Sequence, residues 1–131
     1  MGVRSKSIER RVQWMDTDAA GIWHHSVMTR WAEEAEAELH RHLGVLDETF
    51  GVTPRVRVEY DLAGSLRFDD LVSITLTIAE LGNTSITYLI EVRKGDDLVA
   101  SGKMIAVLID GLTGQKKPWP EHLRRALEPG P

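Results

Sequence analysis

The stretch 26-SVMTRWAEEAEAELHRHLG-44 decides the fold, because its apolar residues recur at the spacing of an amphipathic helix. They return at every fourth position, at Val27, Trp31, Ala35, Leu39 and Leu43. Charged residues such as Arg30 and Glu36 are expected outside this stripe. We expect Ser26 to cap the helix and Gly44 to end it. The pattern predicts a helix of about 17 residues, roughly 25 Å long.

Segments on both sides of this helix alternate apolar and polar residues, which is typical of strands with one buried face. Before the helix, Ile8, Val12 and Trp14 are expected to share one side of a strand. After the helix, alternating runs occupy residues 55–62, 72–78, 86–92 and 98–109. The glycine-containing turns at 81–83 and 94–97 favour antiparallel hairpins. A short helical pattern follows Pro120.

One helix stripe and one apolar sheet face must each pack against a partner. We therefore predict an α+β fold in which a curved antiparallel β-sheet wraps around one long central α-helix, with residues 1–131 as a single domain. The other face and the edges of such a sheet also need cover. This predicts at least a dimer, and leaves open a homodimer or a homotetramer.

The composition is that of an ordinary globular protein and excludes several kinds of site. The chain has 131 residues, of which 42% are hydrophobic and 27% charged, and a formal net charge of −4. This charge argues against nucleic acid as a partner. The absence of cysteine excludes thiolate metal sites and a cysteine nucleophile. No run approaches the roughly 20 apolar residues that span a bilayer, so we expect a cytoplasmic protein without a membrane partner.

The segment 14-WMDTDAAGIWHH-25 concentrates acids and imidazoles between the first strand and the helix. A carboxylate at Asp18 would lie just before a helix start, where backbone N–H groups are unpaired and carry the positive end of the helix dipole. Gly21 would let the backbone approach a ligand closely. A carboxylate beside such donors can activate a nucleophile and stabilise an oxyanion. Judged by residue type alone, an aspartate in this loop is more often a turn or cap residue.

The neighbours of Asp18 leave alternatives open. His25 either faces a substrate or caps the helix. A metal site at His24 and His25 is disfavoured, because adjacent side chains point apart and no third ligand is evident. Asp16 is interpreted as structural or as a support for the catalytic residues. Further expectations are a core position for Trp31 and a solvated or interface face for Glu33 and Glu34.

The segment 12-VQWMDTDAAGIWHHSVMTRWAEEA-35 resembles the opening of hotdog-fold thioesterases of the 4-hydroxybenzoyl-CoA thioesterase type, which include the YbgC-like acyl-CoA thioesterases. Later stretches agree with the family in order and spacing. They are 58-VEYDLAGSLRFDDLVSITLTI-78, 82-GNTSITYLIEV-92, 97-DLVASGKMIAVLID-110 and 113-TGQKKPWP-120. The resemblance covers about residues 6–120, and its hotdog fold matches the architecture predicted above.

The resemblance implies an acyl-CoA thioesterase that releases a free acid and CoA and needs no further cofactor. It implies that Asp18 attacks the thioester or activates water, and that the backbone N–H of His25 polarises the thioester carbonyl. The residues expected to contact the substrate are Trp14, Gly21, Ile22, Trp23, Arg55 and Arg57.

Family members hold the CoA phosphates with basic residues at a subunit edge, in some members in the turn that corresponds to 81–84. Here this turn has no Lys or Arg. The remaining candidates are Arg55, Arg57, Lys103, Lys116 and Lys117. Two alternatives therefore stay open: release of an acyl chain from an acyl carrier protein, and a non-catalytic acyl-thioester-binding or interaction module.

Overall fold

A five-stranded sheet forms the framework of the computed structural model, which describes residues 4–130. The strands are β1 (Ser5–Arg11), β2 (Arg55–Leu62), β3 (Leu71–Leu81), β4 (Ser85–Lys94) and β5 (Asp97–Val107). Their order across the sheet is β1-β3-β4-β5-β2, and all neighbours run antiparallel. The predicted antiparallel sheet is confirmed, and β1 and β2 form its two edges.

Three helices accompany the sheet: α1 (Val27–His42), α2 (Leu46–Thr49) and α3 (Glu121–Leu127). The 16 residues of α1 lie where the apolar period predicts a helix. Ser26 is its N-cap by position, but the serine side chain makes no capping hydrogen bond. Instead, the backbone N–H of Ser26 donates to Nδ1 of His24, at 3.2 Å. None of the helices described in residues 4–130 is long and apolar enough to cross a bilayer.

The apolar stripe of α1 and one face of the sheet share a single hydrophobic cluster. Trp31 and Leu39 of α1 are fully buried, as are Ile74 of β3 and Tyr88 of β4. This confirms the core position expected for Trp31. Because α1 packs mainly against β1 and β3, the side of the sheet near β2 is less covered.

The edge strand β2 exposes apolar side chains to solvent. Val56, Val58 and Leu62 are 58%, 44% and 47% exposed. Within the described chain, β2 pairs only with β5, so its outer backbone groups have no strand partner. An exposed apolar edge of this kind needs cover.

The exposed apolar residues of β2 contradict the buried face that the alternation at residues 55–62 predicts. Two further expectations about buried faces are also wrong. Trp14 is 75% exposed instead of sharing the buried side of β1, because the strand ends at Arg11 and residues 14–16 form a 3₁₀ turn. Glu36, expected outside the apolar stripe, is only 4% exposed. Its carboxylate is paired with the guanidinium of Arg55 at the start of β2, which makes its burial tolerable.

Candidate active site

Asp18 lies in a tight turn between β1 and α1. Its backbone N–H donates to the Ile22 carbonyl at 2.9 Å, and its own carbonyl accepts from the Gly21 N–H at 2.9 Å. Its Oδ1 accepts from the Ala20 N–H at 2.8 Å. The carboxylate is exposed in the single chain, and Oδ2 has no hydrogen-bond partner within residues 4–130. One oxygen thus holds the turn, and the other has no partner among the described residues.

A backbone N–H group without a hydrogen-bond acceptor lies just before the start of α1. The N–H of His25 has no acceptor among the described residues, whereas those of Val27 and Met28 donate to carbonyls three residues back. The rings of His24 and His25 lie 4.2 Å apart, so the expectation that these adjacent side chains point apart is wrong. His24 rather than His25 accepts the hydrogen bond at the helix start. In residues 4–130, no group of three or more potential ligating side chains is placed to hold a metal ion.

Asp16 ties the Asp18 turn to α1. Its buried carboxylate accepts two hydrogen bonds from Arg30, at 2.7 and 3.1 Å, and one from the Gln13 N–H, at 2.8 Å. Its carbonyl accepts from the His24 N–H at 2.7 Å. Burial raises the pKa of Asp16, but the hydrogen bonds from Arg30 and Gln13 and the charge of Arg30 lower it below its usual range overall. These contacts give Asp16 a structural role in the turn.

Trp23 fastens the other end of the turn to the segment that follows β2. Its indole is buried and stacks on Trp31, with ring centroids 5.6 Å apart. Its ring N–H donates to the Gly64 carbonyl at 3.1 Å, and its backbone N–H donates to the Leu66 carbonyl at 2.9 Å. These contacts tie the segment that carries Asp18 to the residues that follow β2.

Aromatic and basic side chains surround the turn. Trp14 packs edge-to-face on Phe68, with centroids 5.5 Å apart, and both are exposed. Ile22 is partly buried. Sequence reasoning missed Arg67, whose Nη1 lies 3.8 Å from the position that a Cβ on Gly21 would take. Arg67 is exposed and lies in the segment between β2 and β3, far from Gly21 in the sequence, so no local pattern indicates its approach.

The arginines expected to bind CoA phosphates differ in exposure and in their ion-pair partners. Arg55 is held by Glu36, with Nη1 and Oε1 2.9 Å apart, and its side chain is 18% exposed. Arg57 is exposed and pairs with Glu59 at 2.8 Å. The roles of both residues in binding stay predictions, but Arg55 already has an internal partner.

The turn at 81–84 has no basic residue of its own, but the side chain of Arg124 in α3 contacts it. Nη2 of Arg124 donates to the Gly82 carbonyl at 2.7 Å. The sequence gives no sign of this contact, because 42 positions separate the two residues. The other candidates for phosphate binding, Lys103, Lys116 and Lys117, are exposed.

A cavity of about 420 Å³ opens between α1 and the start of β2. Its lining residues are Glu33, Glu36, Phe50, Gly51, Thr53, Pro54 and Arg55. Asp18 is not among them. The cavity lies on the less covered side of the sheet, and the sequence patterns did not predict it.

A buried chain of hydrogen bonds runs from this cavity into the core. The Thr49 hydroxyl donates to the Val45 carbonyl at 3.0 Å. This leaves Nδ1–H of His40 to donate to Thr49 at 2.6 Å, and Nε2 to accept from the Tyr88 hydroxyl at 2.6 Å. Tyr88 in turn contacts the carboxyl of Glu36.

Burial shifts the pKa of the three titratable residues in this hydrogen-bonded series, Glu36, His40 and Tyr88. It raises the pKa of Glu36, against the opposing effects of Arg55 and Tyr88. Burial, aided by the charge of Arg55, lowers the pKa of His40 to about 4. Burial and the nearby Glu36 raise the pKa of Tyr88 well above its usual value. His40 and Tyr88 are therefore neutral at pH 7.

The chain is similar to known proteins over most of its length. The thioesterase-like superfamily matches residues 12–127. The chain is 25% identical over 131 residues to a 1,4-dihydroxy-2-naphthoyl-CoA hydrolase of Synechococcus sp. (strain CC9902), covering 92% of this chain and 88% of the relative. It is 24% identical over 120 residues to the acyl-CoA thioester hydrolase YbgC of Escherichia coli O157:H7, covering 86% and 88%.

A solved structure is similar over nearly the whole chain. It is that of a gentisyl-coenzyme A thioesterase, with a TM-score of 0.81 and 28% identity, covering 93% of this chain and 98% of the other. The family match alone spans well over half of the sequence. This chain belongs to the thioesterase-like superfamily.

Proposed function

We propose that this protein is an acyl-CoA thioesterase, which hydrolyses a thioester to a free acid and CoA. The observation that carries the proposal is that one short segment holds two groups without a hydrogen-bond partner among the described residues. They are a carboxylate oxygen of Asp18 and the backbone N–H of His25. Asp16 and Arg30 hold that segment against α1. The names of the relatives, which are hydrolases of acyl-CoA thioesters, support the same reaction.

Asp18 and His25, at opposite ends of this segment, have different roles in the hydrolysis. Asp18 either attacks the thioester carbonyl carbon or removes a proton from a water that attacks it. The carbonyl oxygen gains negative charge, which the His25 N–H and the positive end of the α1 dipole stabilise. The carbon–sulfur bond then breaks and CoA leaves as its thiolate. In the route in which Asp18 attacks, a water then hydrolyses the mixed anhydride on Asp18, which releases the acid and restores the carboxylate. We expect Ile22, Trp23 and Trp14 to line the acyl side of this site.

A second copy of the chain would complete the site along the edge strand β2. Basic Arg57 precedes Val58 and acidic Glu59 follows it, so the strand is complementary in charge to an antiparallel copy of itself. In a two-fold pairing centred on Val58, Arg57 lies opposite Glu59 of the partner subunit. The same pairing would cover the apolar edge described above. A homodimer follows, and two such dimers would give a homotetramer.

This pairing would also enclose the exposed Asp18. The Leu62 end of one β2 then lies opposite the Pro54 end of the other. Trp23 ties the Asp18 turn to the segment just after Leu62, so the turn would lie beside the 420 Å³ cavity of the partner subunit. We infer that each subunit, with its sheet curved around α1 as in the hotdog fold, supplies one wall of the other's site.

Release of an acyl chain from an acyl carrier protein is the second candidate function. It is favoured by the 81–84 turn, which has no basic residue of its own for the CoA phosphates. Turnover of one acyl group, presented on CoA and on a carrier protein, separates the two substrates. Binding of acyl thioesters without hydrolysis of any of them would instead identify a non-catalytic module.

The decisive experiment is hydrolysis of short, long, branched and aromatic acyl-CoAs by the purified protein and by Asp18→Asn. Asparagine keeps an Oδ1 acceptor for the Ala20 N–H, so the turn is retained. We expect kcat to fall by at least about 1000-fold. Asp110→Asn is the matched control, because Oδ1 of Asp110 also accepts backbone N–H groups in a turn, at 2.9 and 3.0 Å. Near-normal turnover by Asp18→Asn would refute the role of Asp18.

A further inference from the structure

The buried hydrogen bonds that lead inward from the cavity are not used by the chemistry at Asp18. In order from the cavity, they join Glu36, Tyr88, His40 and Thr49. Glu36 and His40 lie one turn apart on α1, and the Tyr88 hydroxyl of β4 contacts both. All four residues are at most 4% exposed. Each polar group must therefore find its partner within the series.

The Tyr88 hydroxyl has one proton to donate and faces two acceptors. One is Nε2 of His40, at 2.6 Å, and the other is the carboxyl of Glu36. If the Tyr88 proton points to His40, Glu36 can bond to the hydroxyl oxygen only by donating a proton of its own. If the Tyr88 proton points to Glu36, Nε2 of His40 must carry the ring proton. The charge of Glu36 and the tautomer of His40 therefore depend on each other.

Thr49 allows both arrangements at the inner end of the series. Its hydroxyl lies 3.0 Å from the Val45 carbonyl and 2.6 Å from Nδ1 of His40, so it can donate to either. The Val45 carbonyl also accepts from the backbone N–H groups of Glu48 and Thr49, at 3.0 and 3.1 Å. It keeps these two donors when the hydroxyl turns to His40. A series that reverses completely leaves no buried group unpaired, whereas one that reverses in part does.

We propose that Glu36, Tyr88, His40 and Thr49 form a proton-sensitive switch, in which protonation of Glu36 reverses the hydrogen bonds along the whole series. With Glu36 ionised, Tyr88 donates to Glu36 and Nε2–H of His40 donates to Tyr88. Thr49 then donates to Nδ1. With Glu36 protonated, Glu36 donates to Tyr88 and Tyr88 donates to Nε2 of His40. Nδ1–H then donates to Thr49. His40 loses one ring proton and gains another, so the only net uptake is the proton on Glu36.

Groups on three elements act on the charge of Glu36. Burial has the largest effect and favours the protonated form, as does the nearby Glu33 of α1. Arg55 of β2, 2.9 Å away, favours the ionised form, as does Tyr88 of β4. Together they raise the pKa of Glu36. His40 stays neutral above its own pKa of about 4, which burial and the charge of Arg55 lower.

The switch changes the charge that the cavity presents. Ionised Glu36 neutralises Arg55, whereas protonated Glu36 leaves the guanidinium without its carboxylate partner. Nη2 of Arg55 is buried and already has no hydrogen-bond partner among residues 4–130. Protonation therefore adds one unit of positive charge to the cavity wall. The inference rests on contacts within one chain and needs neither the hydrolysis nor the pairing of subunits proposed above.

The test follows the His40 ring by ¹⁵N NMR of the full chain, because ring nitrogens with and without a proton have widely separated shifts. The signals of His40 are those that His40→Gln lacks. The pH runs from about 5 to about 9, which reaches the highest pKa values documented for buried glutamates. We expect the ratio of Nε2–H to Nδ1–H to rise at least about 10-fold as the pH increases. The ¹³C shift of the Glu36 carboxyl should change with the same midpoint.

Two variants locate the proton that drives the switch. In Glu36→Gln, the amide oxygen can accept from Arg55 while the amide NH₂ donates to Tyr88. His40 is therefore expected to stay in the Nδ1–H form at every pH. Glu38→Gln is the matched control, because Glu38 lies on the same helix and forms an exposed pair with Arg41. It is expected to follow the wild type. The wild-type titration alone remains decisive if Glu36→Gln does not fold.

The outcomes separate the switch from the proposed function. A single His40 tautomer across the whole pH range would overturn the switch, whether or not Glu36 titrates. So would a tautomer change in folded Glu36→Gln, or a midpoint that differs from that of the Glu36 carboxyl. A tautomer change with the expected midpoint, in a protein that hydrolyses no thioester, keeps the switch and rejects the thioesterase.

Discussion

Arg30 holds Asp16 through both carboxylate oxygens, at 2.7 and 3.1 Å, and so fixes the turn that carries Asp18 to the first turns of α1. The Asp16 carbonyl accepts from the N–H of His24, the residue before the unpaired donor. One ion pair thus sets the positions of both the carboxylate and the N–H proposed for catalysis.

Removing the charge of Arg30 should loosen this arrangement. In Arg30→Gln, the buried Asp16 carboxylate loses its charged partner, and we expect the free energy of unfolding to fall by about 2 kcal/mol. We also expect a lower kcat. Arg41→Gln on the same helix loses only an exposed pair with Glu38 and should cost less than about 0.5 kcal/mol. Urea unfolding checks both values, and equal stability of the two variants would contradict the role of Arg30.

Buried His40 should make stability depend on pH in a defined window. Its folded-state pKa is about 4, and an unfolded histidine titrates near 6.5. Below pH 6.5 the unfolded chain binds a proton that the folded chain refuses, so stability is fully present above 6.5 and is lost as the pH falls toward 4. The full loss is about 3 kcal/mol.

Comparison of variants isolates this histidine from other titrating groups. Glu36 acts in the opposite sense, because its raised folded-state pKa costs stability as the pH rises through that pKa. We expect the difference in unfolding free energy between wild type and His40→Gln to shrink as the pH is lowered from 7 to 4.5. His42→Gln, which removes an exposed histidine from the same helix, should follow the wild type. A constant wild-type-to-His40→Gln difference would show that His40 does not titrate as described.

Local patterns predicted the elements of this fold because their signals are periodic. The stripe of α1 and the alternation along β3 and β4 each repeat over three or more periods, and both match the structure. Glu36 and His40 break the stripe by residue type and are nevertheless buried. Their partners, Arg55 and Tyr88, are distant in sequence, so no local pattern could reveal that their polarity is satisfied.

The same distinction, between local motifs and contacts distant in sequence, applies to the candidate site. Asp18, Gly21 and His25 lie in one short stretch of sequence, so a local motif is enough to suggest them as one site. Arg67 and Arg124 reach their positions through tertiary contacts. The cavity is lined by residues that follow α2 together with Glu33 and Glu36 of α1. Features assembled from distant segments were the ones missed.

The charge pattern of β2 gives a test of pairing between subunits. Arg57→Glu would place two glutamates opposite each other across the proposed two-fold axis and should shift the protein toward monomers. The double variant Arg57→Glu with Glu59→Arg restores opposite charges and should restore the assembly. Sedimentation equilibrium at low salt measures the change, because such exposed charges are screened at high salt. A single variant that associates like the wild type would exclude this register.

Gly21 and Gly114 offer a matched pair for the geometry of the Asp18 turn. Both have positive φ, +78° and +74°, where a Cβ is strained. An added Cβ at Gly21 would meet only Nη1 of Arg67, at 3.8 Å, and one at Gly114 would meet nothing within 4 Å. Each alanine should therefore cost a similar amount of stability, about 1–2 kcal/mol, through φ alone.

Their effects on activity should differ. Gly21→Ala displaces the turn that holds the Asp18 carboxylate, and a misplacement of about 1 Å can cost about 100-fold in rate. We expect kcat to fall about 10- to 100-fold in Gly21→Ala and to stay near the wild-type value in Gly114→Ala. Because stability is matched, loss of fold cannot account for the difference. If both variants turn over alike, the conformation at Gly21 has no part in placing the carboxylate.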